Sequence, residues 1–140
     1  MNISLTYSEL EQYIADHYHQ RVEFKQAGDT AVKATVHTKL PLLGTVSKDI
    51  TLTITEVEAH AITVRYSAGL LVDNFIVDGI INTVFDVIQN AIGEGIRKIG
   101  KQTLLIDLAL IPQAKALADA LALRTITTQS DTLHINAALL

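Results

Sequence analysis

The 140 residues are 49% hydrophobic and 19% charged, a balance that excludes a disordered chain and suits one domain, residues 1–140, with a sizeable core. A net charge of −4 argues against nucleic acid as a main partner and against a broad electrostatic grip on anionic lipid, and 5% aromatics with no Trp leave little on which to stack bases or sugars. The absence of Cys removes disulfides, thiol nucleophiles and cysteine metal sites together.

Residues 2–6 read as a short extended lead-in. Leu10, Tyr13, Ile14 and Tyr18 then recur at helical spacing, which predicts a short amphipathic helix over residues 8–19. Thr6 with Glu9, or Ser8 with Glu11, offers a capping box at its start. From Arg21 the period falls to two. Val22 and Phe24 alternate with charged residues, Ala27-Gly28-Asp29-Thr30 signals a turn, and Val32, Ala34 and Val36 share the next face. After the break at residues 40–44, Ile50, Leu52 and Ile54 alternate with Thr51, Thr53 and Thr55, and Ile62, Val64 and Tyr66 continue the pattern. Four such strands on short turns predict an antiparallel meander with one apolar and one wet face.

Residues 71–99 contain no proline and would form a helix of roughly 40 Å. On a helical wheel Ile76, Val77, Ile80, Ile81, Val84, Phe85, Val87, Ile88, Ala91, Ile92 and Ile99 share one side. That arc covers roughly half the circumference, against the ~100° of an ordinary surface helix, so it calls for a concave partner. Gly100 reads as its stop, followed by a strand over residues 103–111, a short helix opened by Pro112, and a hairpin across Gln129-Ser130-Asp131. In the last strand Leu133, Ile135, Ala137 and Leu139 oppose His134, Asn136 and Ala138.

The expected fold is therefore α+β: a highly curved antiparallel sheet wrapped around one long helix, with a short N-terminal helix. The C-terminal run LLIDLALIPQAKALADALALRTITTQSDTLHINAALL resembles the ending of small bacterial single-domain members of the tubular lipid-binding (TULIP) superfamily. There a strand, a short helical turn and a closing hairpin lay a tail against a sheet that wraps one long helix. The resemblance implies binding of a lipid or another elongated apolar small molecule between helix and sheet. The lining it suggests is Ile76, Ile80, Val84, Ile88 and Ile92 from the helix, faced by Val36, Leu52, Ile54, Val64, Leu108 and Ile135. Core packing alone is the plainer use of the same arc.

Leu40-Pro41-Leu42-Leu43-Gly44 is apolar where polar turn residues are expected. Leu40, Leu42 and Leu43, with Leu70 and Leu71 at the entry to the long helix, are candidates for transient membrane contact, for capping the core, or for burial in a homodimer or against a partner protein. The alternative to ligand binding is thus a non-enzymatic interaction module or assembly component. His17, His19, His37, His60 and His134 show no spacing that demands a metal. There is no G-x-S-x-G elbow and no H-E-x-x-H, so neither an enzyme nor a cofactor is expected. No basic and apolar leader opens the chain and no uncharged run reaches ~20 residues, which points to a soluble cytoplasmic protein.

Overall fold

The computed structural model describes residues 1–40, 42, 44–67, 82, 86, 89–90, 95–112 and 114–140. Strand β1 (Asn2–Thr6) leads directly into helix α1 (Tyr7–Tyr18). Thr6 is the N-cap: its hydroxyl accepts from Glu9 N at 3.1 Å, and the Glu9 carboxylate accepts from Thr6 N at 3.1 Å. This reciprocal pair satisfies two otherwise orphaned donors of the helix start. His19 closes the helix in the left-handed conformation, its N–H donating to Ala15 O.

The meander follows as β2 (Arg21–Gln26), β3 (Ala31–Leu40), β4 (Gly44–Val57) and β5 (Ala61–Ser67). Later come β6 (Ile96–Gly100) and β7 (Thr103–Asp107), then a 3₁₀ turn (Leu108–Leu110), helix α2 (Lys115–Ala120), β8 (Leu121–Gln129) and β9 (Thr132–Leu139). All pairings are antiparallel among the described residues, in two sheets of order β1-β9-β8 and β2-β3-β4-β5-β7-β6.

The expected single curved sheet around one long helix is overturned. The described residues are mostly strand, they divide between two sheets, and no long helix wrapped by a sheet is found among them. Residues 96–99, expected to end the helix, are instead β6, with Ile96 opposite Ile106 and Lys98 opposite Leu104. Ile96 and Ile99 are spaced as on a helix and do not alternate as a half-buried strand would, so local periodicity favours the wrong element and pairing with β7 overrides it. The Lys101-Gln102 turn, with Gln102 at φ 58°, decides for a hairpin. Ile99, assigned to the buried arc, is 53% exposed. The strand expected over residues 103–111 stops at Asp107, whose carboxylate accepts from Ala109 N at 3.1 Å and starts the 3₁₀ turn.

The division into two sheets has its cause in β8. Its edge meets the turns of the meander rather than another strand: Leu123 N donates to Ala59 O and Thr128 N to Asp29 O, both at 2.8 Å. Thr128, 3% exposed, also donates its hydroxyl to Gly28 O at 2.6 Å. Gln26 Nε2 donates to Thr128 O at 2.9 Å, and its own amide oxygen accepts from Ser130 N at 2.9 Å. These contacts hold the three-stranded sheet across the β2–β3 and β4–β5 turns.

Apolar side chains cluster on one face of the six-stranded sheet. Val22, Ala34, Val36 and Ile50 are buried together, with Ile14 of α1, Phe24, Leu52 and Tyr66 packed against them. A second cluster joins Ile96 and Ile111 with Leu104, Ile106, Leu108 and Ala114. Gly95 is required there, because a Cβ at that position would collide with Ile111 Cγ1. Among the described residues no helix is long and apolar enough to cross a membrane.

Candidate functional site

The β3–β4 hairpin is longer than the sequence alternation suggests. Among the described residues, pairing of β2 with β3 ends at Arg21 opposite His37, and pairing of β4 with β5 runs as far as Thr51 opposite Ser67. The hairpin continues to Leu40 opposite Gly44. At about 3.3 Å per residue its tip stands roughly 15 Å beyond the last β2–β3 pair. Leu42 occupies that tip with φ 68° and a relative exposure of 105%. Gly44, two residues on, takes φ 72°, a conformation that costs glycine nothing. For a leucine the left-handed region costs about 1–2 kcal/mol, and a fully exposed side chain returns none of it by burial.

Residues 38–48 contain Lys39 and Lys48 and no acidic residue, within a chain of net charge −4. Register places the two lysines on opposite faces of the hairpin, Lys39 opposite Thr45 and Lys48 opposite Val36. The tip is thus apolar at its end and cationic along its neck.

Of the other expected site residues, Val36, Leu52, Ile54 and Val64 do share the apolar face of the six-stranded sheet, where Val36 and Val64 are buried. Leu108 is not with them; it packs in the 3₁₀ segment against the Ile96–Ile111 cluster. Ile135 belongs to the other sheet, between Ile3 and Ile126. The expected lining therefore does not form one surface. Ile76, Ile80, Val84, Ile88, Ile92, Leu43, Leu70 and Leu71 lie outside the described residues, and Leu40 is placed by its backbone pairing alone.

Open depressions lie on the described surface. One, between α1 and β2, is bordered by Ser8, Glu11, Gln12, Ala15, Arg21, Val22 and Glu23; another, on the β1-β9-β8 sheet, by Asn2, Ile3, Thr125, Thr127, His134, Asn136 and the expected lining residue Ile135. Their mainly polar borders do not suit an elongated apolar ligand.

No family model, curated protein or solved structure matches this chain. The resemblance to tubular lipid-binding proteins accordingly rests on apolar alternation in the sequence, and the architecture it implied is the one corrected above.

Strand register also builds a row that sequence reading missed. Ser47 Oγ lies 2.6 Å from His37 Nδ1, and Glu23 Oε1 lies 3.8 Å from His37 Nε2. Nucleophile, base and acid stand in the order acyl transfer uses. The carboxylate is nonetheless beyond hydrogen-bond reach and turns partly to Arg21 at 3.7 Å, and neither depression is bordered by Ser47 or His37. We read the row as a polar ladder on the outer face of the meander. Among the described residues no three His, Asp or Glu side chains converge as a metal ion requires.

Proposed function

We propose that this chain is a non-enzymatic module that attaches reversibly to a lipid bilayer through the tip of the β3–β4 hairpin. The observation that carries the reading is Leu42, held in a left-handed conformation at 105% exposure. A bulky apolar residue kept at a backbone cost, with no burial inside the chain, is explained by burial outside it. Inserting one leucine into the acyl boundary is worth about 1.5–3 kcal/mol. Lys39, three residues from the tip, adds about 1 kcal/mol beside an anionic leaflet. The sum describes transient contact rather than permanent anchoring.

Lipid remains the partner that the resemblance implies, met as a surface rather than as a molecule enclosed between helix and sheet. The proposal places the contact at a cytoplasmic membrane face, a reducing compartment in which a chain without cysteine has no bond to lose. Vesicle flotation tests it. Wild-type protein should float with phosphatidylcholine–phosphatidylserine vesicles, Leu42→Asp should stay in the aqueous layer, and Lys39→Glu should lose the preference for anionic lipid. Wild-type protein that floats with neither neutral nor anionic vesicles would refute the reading.

A further inference from the structure

Among the described residues the two sheets present four outer strands, and three of them are guarded. On β2, Arg21, Glu23 and Lys25 alternate with apolar residues, and the Glu11 carboxylate of α1 accepts from Phe24 N at 2.9 Å. On β6, Arg97 and Lys98 precede a register shift between Lys98 and Gly100. On β8 the outward N–H groups of Leu123 and Thr128 are taken by turn carbonyls, and a bulge lies between Leu123 and Thr125. Charge, bulges and cover are the usual means of keeping a strand edge from pairing with another chain.

Strand β1 has none of them. Asn-Ile-Ser-Leu-Thr carries no charge, proline or bulge. Its hydrogen-bond directions follow from its ends. Met1 exchanges both bonds with Ala137, at 2.7 and 2.9 Å, and Tyr7 N donates to Asp131 O at 2.7 Å. Antiparallel bonding alternates, so Ile3 and Leu5 also turn their backbone groups towards β9, while Asn2, Ser4 and Thr6 turn theirs outward. Thr6 N is taken by the Glu9 carboxylate, and Thr6 O begins the helix. The N–H and C=O of Asn2 and Ser4 have no partner among the described residues. Both residues are exposed.

We propose that this edge pairs with β1 of a second copy of the chain. Two donors and two acceptors spaced two residues apart are self-complementary under a two-fold axis through Ile3. Asn2 then exchanges both bonds with Ser4 of the second copy, Ser4 does the same with its Asn2, and the two Ile3 side chains meet across the axis. This register uses every free group of the edge and joins two three-stranded sheets into one of six strands. The interface is isologous, as closed homodimers require.

Sedimentation velocity over a concentration series, with circular dichroism as the check on folding, tests the proposal. Wild-type protein should show a reversible monomer–dimer equilibrium. Ser4→Pro removes an N–H that β9 does not use, so the fold should persist; the two-fold repeats the loss, and the dissociation constant should rise roughly ten- to a hundredfold. Ser4→Lys, which leaves the backbone intact, should weaken the dimer in the same direction by setting like charges diagonally across the axis. A wild-type protein that stays monomeric throughout the series, or a dimer that Ser4→Lys leaves unchanged, would overturn it.

Discussion

Glu11 Oε2 accepts a hydrogen bond from Phe24 N at 2.9 Å, so a helix side chain closes the outer edge of the six-stranded sheet. Ile14, one turn further along α1, packs on the buried cluster of Val22, Ala34, Val36 and Ile50. Helix and strand are thereby joined by one polar and one apolar contact. Glu11→Ala should lower unfolding free energy by about 1–2 kcal/mol, since a half-buried backbone donor loses a charged acceptor. Urea denaturation measures this, and a change within error would show that water replaces the carboxylate at no cost.

Thr128 makes the tightest link between the two sheets, its hydroxyl donating to Gly28 O at 2.6 Å from a buried site. Thr128→Val keeps the shape and removes the donor, and should cost about 1–3 kcal/mol. Thr127→Val, one residue away on the exposed face, should change stability by no more than about 0.5 kcal/mol. Equal effects in the two variants would deny Thr128 its role as a lock.

The capping box gives a pH dependence of known sign. Hydrogen bonds from Thr6, backbone first and hydroxyl second, hold the Glu9 carboxyl below its ordinary value of 4.5. A depressed native pKa means that the stabilisation is complete above 4.5 and fades as pH falls through the lower native value. Melting curves of wild type and Glu9→Gln should therefore differ at neutral pH and converge in acid. A gap that stays constant with pH would mean that ionisation of Glu9 does not matter to the cap.

Leu42→Gly separates stability from contact. Glycine adopts the observed φ of 68° without strain, so the variant should be more stable by about 1 kcal/mol while losing affinity for vesicles. A loss of stability would place Leu42 in packing and remove the reason for seeking its partner outside the chain.

The parts of this molecule legible in sequence are those governed by local periodicity. Val22 and Phe24, Val32 to Val36, Ile50 to Ile54, and Val64 and Tyr66 announce strands because burial on one face enforces a period of two. Thr6 and Glu9 announce the helix start because the capping box is a three-residue spacing. Leu42 could be singled out because an apolar turn is anomalous in itself. What escaped depends on distant partners. Residues 96–99 become a strand through pairing with β7, and the lead-in at residues 2–6 becomes β1 through pairing with β9, more than a hundred residues away. The split into two sheets turns on Asp29 O and Ala59 O meeting the edge of β8, for which no local pattern exists. The row of Glu23, His37 and Ser47 likewise arises from the register of three strands.

Insertion of the hairpin tip into a bilayer is the central claim, and the absence of tryptophan from the chain permits a direct measurement. Leu42→Trp places a single indole at the tip, exposed to water in the free protein. Adding phosphatidylcholine–phosphatidylserine vesicles should shift its emission to the blue and shield it from an aqueous quencher. An emission maximum and quenching rate unchanged by vesicles at saturating lipid would contradict the account.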